Sequence, residues 1–257
     1  MILKVLTWPA LSRAGGKFLD APLSRPLIPL FIRKAQIDLQ DFEPVQYRCF
    51  NDCFTRKILP GKRTFDPSPD AFTAPCDGKL TVWPVTEGLV LPIKQSQFSM
   101  ARLLGEEELA QQFEGGWCFV FRLCVEDYHR YAYVVSGAKD KDRFVPGILH
   151  TVRPIALESV PVFTENSRSL SLIRTENMGL VAQMEVGAML VGRIQNHTPE
   201  AATVEKGTEK GMFLYGGSTV LVLVEKDRVQ PNPKFLKASS LGQEIPVRMG
   251  EAIGKMH

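Results

Sequence analysis

Three short segments of this chain hold residue types that could do chemistry. Near the C-terminus, Gly216-Gly217-Ser218-Thr219-Val220 places a hydroxyl directly behind two glycines, at the mouth of an apolar run. Upstream, Glu126-Asp127-Tyr128-His129-Arg130-Tyr131 offers an imidazole, and Thr73-Ala74-Pro75-Cys76-Asp77-Gly78-Lys79 offers a carboxylate ahead of a glycine. Taken singly, each has an ordinary structural reading. Asp-Gly is a turn signal. Gly-Gly-Ser-Thr before β-branched residues is a tight turn into a strand, and a histidine at a strand junction is more often a satisfied structural residue than a catalyst. Read as chemistry, the same set supplies a nucleophile, a carboxylate and an acid–base group with an ordinary pKa of about 6.5.

These groups need elements to hold them, and the chain divides by texture. Residues 1–60 read as helical. Between Ser24 and Leu39, apolar Leu27, Ile28, Phe31, Ile32, Ala35 and Leu39 fall at helical spacing, with Ser24 able to cap and Pro26 suited to a first turn. Arg33 and Lys34 lie off that stripe. The pattern fits either an ordinary amphipathic helix packed on the body or one lying in a membrane interface, with Trp8 and Phe18 upstream. A second helix covers roughly Tyr47 to Ile58 and stops at Pro60-Gly61. Residues 61–257 then alternate short β-branched runs with Gly/Pro turns. Strands are expected at 79–83, 118–123, 131–135, 180–186 and 219–224, with one further helix over Met100 to Phe113. The expected class is α+β: a β-rich body behind an N-terminal helical segment.

Composition narrows the function classes. The 257 residues, 44% hydrophobic and 23% charged, are enough for one large domain or two small ones with a sizeable core. A net charge of +3, without Lys/Arg runs interleaved with aromatics, argues against a nucleic-acid partner and is compatible with an anionic membrane surface. The five cysteines form no CxxC pair and have no matching histidine pair, so no metal site is expected and reduced, mostly buried thiols are. No apolar run is long enough to span a bilayer, and the first residues lack the lead and core of a secretory signal, so the expectation is a chain neither exported nor integral.

Together the segments resemble the phosphatidylserine decarboxylase family, and the resemblance runs over nearly the whole chain. Gly217-Ser218-Thr219 follows Asp77-Gly78 and Asp127-Tyr128-His129-Arg130 in the family's order. Ser24-Arg25-Pro26-Leu27-Ile28-Pro29 looks like its N-terminal membrane segment. Phe50-Asn51-Asp52-Cys53-Phe54-Thr55-Arg56-Lys57 with Pro60-Gly61-Lys62-Arg63 is similar to its FNDFFTR…PGxRP stretch. Phe144 to Leu149 with Val152-Arg153-Pro154, Glu165 to Arg168, Val186-Gly187-Ala188 through Val191-Gly192, and Lys206 to Gly211 also fit in register. No single block is decisive; their joint order is specific.

The resemblance implies a decarboxylase body with a membrane-associating N-terminal segment, and a precursor that cuts itself between Gly217 and Ser218. The products would be a large chain 1–217 and a small chain 218–257, held together as a heterodimer, with a pyruvoyl cofactor made from Ser218. It implies phosphatidylserine as substrate, phosphatidylethanolamine and CO₂ as products, and a peripheral place on the cytoplasmic side of the cell membrane; a homo-oligomer stays open. His129 matches the histidine that the family assigns to decarboxylation, and Asp77 the carboxylate that serves self-cleavage. One position departs. The commoner pattern reads D-Y-H-R-x-H, and its second histidine is Ala132 here. The processing base is therefore open between His129, Asp77 acting through water, and another group such as His150. Other readings are an uncleaved lipid-binding or scaffold relative, and a pyruvoyl enzyme for a different amino acid or phospholipid.

Overall fold

The computed structural model describes residues 9–86, 90–93, 96–145, 166–187, 193–215 and 218–257. Its centre is a nine-stranded antiparallel sheet. Across it run Ala202–Val204, Gly137–Lys139, Arg168–Arg174, Leu180–Gly187, Ser218–Val224, Trp117–Leu123, Gly78–Pro84 and Ile245–Val247, with Arg143–Val145 also paired to Arg168–Arg174. Ser218–Val224 is the middle strand. It is buried on both faces, which is why it reads as an almost unbroken β-branched and leucine run.

The two faces of the sheet bury different sets. Leu221 and Leu223 join Cys118, Val120, Leu172, Ala182 and Met184 under the helices Met100–Leu104 and Glu107–Gln112. Val220, Val222 and Val224 join Phe119, Phe121 and Val181 on the other face, against Phe72, Tyr131, Phe213 and Phe235. Strand periodicity of two therefore puts Ser218 on the second face, with Val220.

The strands expected at 79–83, 118–123, 180–186 and 219–224 are present with bounds within one residue. Others needed correction. The strand expected at 131–135 is Arg130–Ala132 only, paired with Glu209–Phe213. Beyond it Val134 N–H donates to the Gln183 side chain instead of a ladder. The helix expected over Met100 to Phe113 breaks into two at Gly105, whose φ of 81° is left-handed. The helix expected from Ser24 to Leu39 is Leu27–Lys34, ended before Gln36 at φ 51°. That expected from Tyr47 to Ile58 is a short turn of helix, Phe50–Phe54.

The apolar stripe of residues 24–39 is split. Ile28 is buried with Phe50, Cys53 and Phe54, and Phe31 packs on Phe50 at 4.9 Å between ring centres. The stripe thus pins the segment to the body. Ser24, fully buried, accepts from Phe50 N–H at 2.8 Å and so caps the helix Phe50–Phe54 rather than its own. The outward apolar residues are a different set: Phe18, Leu23, Leu27 and Leu30. No described helix is long and apolar enough to cross a membrane.

Candidate active site

Ser218 opens the middle strand with no exposed surface. Its backbone is held from both sides, opposite Leu123 on one neighbour and Gly187 on the other. Gly187, the residue opposite it, carries no side chain. The chain leading to it is pinned as well. Phe213 N–H donates to His129 C=O at 2.9 Å, Leu214 N–H to Arg193 C=O at 3.1 Å, and Tyr215 N–H to Asn51 Oδ1 at 3.0 Å. Asn51 in turn donates to Asp20 Oδ1 at 2.7 Å. Gly216 and Gly217, and with them the bond expected to be cut, lie outside the described residues, as do His150 and the motif positions 146–165 and 188–192.

His129 is the neighbour of Ser218. Its Nδ1 lies 3.2 Å from Ser218 Oγ, and its Nε2 lies 2.9 Å from Cys124 O. A carbonyl can only accept, so Nε2 carries the proton and Nδ1 presents its lone pair to the serine hydroxyl. The ring is fully buried and stacked on Phe54, with centres 4.0 Å apart. Burial, and then the positive charge of Arg56, push its pKa down to about 3. The imidazole is therefore neutral at ordinary pH, in the tautomer that a general base for Ser218 needs. Cys124 is held in place by Asp127, whose Oδ2 accepts from Cys124 N–H at 2.6 Å. Burial raises the Asp127 carboxyl to about 6.

Asp77 sits elsewhere. Its carboxylate accepts from Arg63 Nε at 2.8 Å, from Arg63 Nη2 at 2.6 Å, and from Met249 N–H at 2.8 Å. Gly78 after it has φ 149°, and a side chain there would meet Arg122 O at 2.9 Å, so the Asp-Gly pair is fixed by backbone geometry. Both ring nitrogens of His129 are already engaged. The group that orients His129 is thus the Cys124 carbonyl, and not the carboxylate of Asp77. Exchanging Asp77→Asn strips Arg63 of its main ion pair and should cost about 1.5–3 kcal/mol of stability, with self-cleavage in the folded protein slowed less than about tenfold. Thermal melts beside a cleavage time course check this. An unchanged melting temperature with cleavage abolished would instead give Asp77 a direct part in the chemistry.

Comparison with known proteins gives the arrangement its family. Residues 50–255 match the sequence profile of the phosphatidylserine decarboxylase family. The chain belongs to the phosphatidylserine decarboxylase family. It is 40% identical over 256 residues to the phosphatidylserine decarboxylase proenzyme 2 of Clostridium acetobutylicum, covering 99% of this chain and 87% of that protein. It is 37% identical over 248 residues to the phosphatidylserine decarboxylase proenzyme of Clostridium perfringens, covering 95% and 84%. With the proenzyme of Desulfitobacterium hafniense the identity is 35% over 247 residues, covering 94% and 83%.

In this member of the phosphatidylserine decarboxylase family, Ala132 is buried and held by its backbone alone: N–H to Pro75 O at 2.8 Å, and C=O from Gln183 Nε2 at 3.0 Å. Gln183 also reaches Glu185, itself paired with Lys210 in a fully buried ion pair. Several residues that serve the site carried no individual role in the sequence reading: Asn51, Phe54, Arg56, Cys124 and Asp127. Three of them lie in the family-like stretch 50–57, and two lie in the segment just before His129. The signal was the clustering of motif residues around two segments, but nothing in the sequence says which of them touch.

Two hollows border the site. A polar cleft of about 800 Å³ is lined by Arg56, Asp77, Lys79, Asp127 and Tyr128 among others. A smaller one of about 330 Å³ is lined mostly by apolar groups, including Leu27, Leu30, Phe31, Phe50 and Tyr215. They share a lip of Lys34, Ala35 and Glu126.

Proposed function

We propose that this chain is a self-processing decarboxylase that converts phosphatidylserine to phosphatidylethanolamine and CO₂ with a pyruvoyl group made from its own Ser218. The observation that carries the reading is the Ser218 Oγ–His129 Nδ1 pair at the head of the middle strand, in a chain of this family whose relatives are named as proenzymes. His129 Nδ1 takes the hydroxyl proton while Oγ adds to the Gly217 carbonyl carbon. The C–N bond breaks, the proton passes to the nitrogen of residue 218, and an internal ester results. Loss of the Cα proton of residue 218 then expels the Gly217 carboxylate. Addition of water and departure of ammonia leave the new chain capped by a ketone-bearing acyl group.

The surroundings of Ser218 fit such a cap. It would hang from a backbone fixed on both sides, beside a residue without a side chain, and facing His129 Nδ1. A pyruvoyl group at residue 218 would supply an electron sink for the pair released when CO₂ leaves. With Oγ gone, His129 Nδ1 is left facing the reacting carbons and is the group to hold and return a proton there. The two chains stay together because the small one is woven into the fold. Its strand 218–224 lies between two long partners, and its strand 252–256 pairs with Ala71–Thr73.

The N-terminal surface supports a lipid substrate met at a membrane. Phe18, Leu23, Leu27 and Leu30 are exposed on consecutive elements, and Leu27 and Leu30 also line the apolar hollow. Exposed Lys17, Arg25, Arg33 and Lys34 lie among them. Apolar surface beside basic groups is what a peripheral protein presents to anionic lipid, each basic residue contributing about 1 kcal/mol. The test uses vesicles containing phosphatidylserine. The wild-type protein should run as two fragments on a denaturing gel and form phosphatidylethanolamine. Leu23→Glu with Leu30→Glu should cleave normally yet sediment with vesicles about tenfold less or worse, since each buried leucine contributes about 1.5 kcal/mol or more. Unchanged sedimentation would make this face something other than the membrane contact.

A further inference from the structure

Arg56 is the charged group of this site whose position nothing so far explains. It is 2% exposed and lines the polar cleft. Nη2 donates to Glu126 O at 2.9 Å and Asp127 O at 3.2 Å, and the guanidinium lies over the Phe42 ring at 4.3 Å. Nε and Nη1 are buried with no hydrogen-bond partner, and no ion pair to Arg56 occurs among the described residues. Of the other cations lining the cleft, Arg63 is taken by Asp77 and Asp41, whereas Lys34 and Arg248 are exposed and Lys79 is half-buried. A buried guanidinium with idle donors and no carboxylate paired to it is costly, and is suited to an anion that arrives later. The carboxyl of Asp127, the nearest acidic group of its own loop, is turned onto Cys124 N–H.

We propose that Arg56 binds the phosphodiester of the lipid headgroup, donating to its oxygens through Nε–H and Nη1–H. This rests on the reading of the chain as a phosphatidylserine decarboxylase. The substrate offers two anions, and the chemistry chooses between them. A guanidinium clamped on the carboxylate would stabilise the charge that must vanish as CO₂ leaves, favouring the ground state over the transition state. A phosphodiester keeps its charge throughout, so a strong contact to it fixes the headgroup without raising the barrier. Geometry agrees: Arg56 holds the carbonyls of Glu126 and Asp127, three and two residues before His129, so a headgroup held on Arg56 lies in the same loop's reach as the imidazole. The bound anion would also offset the Arg56 charge, one of the two influences that keep His129 unprotonated.

The experiment uses processed enzyme and follows phosphatidylethanolamine formation. Two soluble inhibitors separate the anions: glycerophosphoethanolamine has the phosphodiester and no carboxylate, and O-methyl-L-serine has the carboxylate and no phosphate. In Arg56→Gln the inhibition constant for glycerophosphoethanolamine and the KM for phosphatidylserine should each rise about 10- to 100-fold, as for the loss of a hydrogen bond to a charged group. Inhibition by O-methyl-L-serine should stay within about threefold. Arg56→Lys should keep the charge and lose the planar donors, and fall between. Weakened O-methyl-L-serine with unchanged glycerophosphoethanolamine would place the carboxylate on Arg56 and overturn the proposal. So would unchanged constants for both, or a failure of both variants to cleave themselves, which would leave Arg56 a holder of the His129 loop. A wild-type enzyme that forms no phosphatidylethanolamine would instead refute the functional reading.

Discussion

Ser218→Ala should leave the protein as one chain of 28.7 kDa, with no small fragment and no CO₂ released from phosphatidylserine. The expected loss is complete, because every later step needs the Oγ that starts the first. The exchange should not disturb the fold. The backbone of residue 218 is held by the pairing of strand 218–224 with both neighbours, and that pairing does not involve the side chain. What disappears is one hydrogen bond to His129, a net of about 1 kcal/mol. A thermal melt near that of the wild type would show the precursor to be folded and merely inert. In the wild type, mass spectrometry of the small fragment should find a chain from residue 218 with no free amine. Cleavage in the Ala variant would put the nucleophile elsewhere, and a wild type that persists as one chain with an intact serine would remove the basis for the pyruvoyl reading.

How much of this was legible in the sequence depends on the range of the interaction that decides it. The middle strands were readable because burial on both faces forces nearly continuous runs of aromatic, aliphatic and β-branched residues, as at 117–123 and 218–224. Helix lengths were not. The breaks after Lys34 and Leu104 come from single residues in left-handed backbone, Gln36 and Gly105, and the first of these is not a residue type that signals a stop. The facing of the 24–39 stripe was undecidable for another reason. Periodicity says that a face is apolar, and only the aromatic cluster of Phe50 and Phe54 shows that Ile28 and Phe31 turn inward while Leu27 and Leu30 do not. At the site, Ser218 and His129 were named in advance and do meet, across 89 residues of sequence. The carbonyl of Cys124 that sets the tautomer could not be named, since every residue carries a carbonyl. Nor could the partner of Asp77: an Asp-Gly turn gives no hint that Arg63 and Met249 N–H will close on it.

His129→Ala should slow self-cleavage by about 10²–10⁴-fold, the usual contribution of a positioned general base. The ring is also a packing element, fully buried against Phe54, so His129→Phe is the companion variant that keeps the stack and removes the nitrogens. If both lose cleavage alike, the loss is chemical rather than a collapse of the site. His150→Ala runs alongside, and should cleave at the wild-type rate if His129 is the base. The pH dependence gives a second, independent readout. A histidine in water would lose its basicity below about pH 6.5. Burial and Arg56 hold the folded-state pKa of His129 at about 3, so its lone pair remains available at all pH values above that. The cleavage rate of the wild type should therefore show no inflection near 6.5 as pH falls from 8 to 5. An inflection near 6 that disappears in Asp127→Asn would belong to Asp127, whose raised carboxyl titrates there and holds the Cys124 end of the loop. A clear fall at 6.5 that His129→Phe abolishes would mean that the imidazole is hydrated in the precursor. Normal cleavage in both His129 variants would move the base to a group outside this pair, and the Ser218–His129 contact would then serve only the later return of the proton.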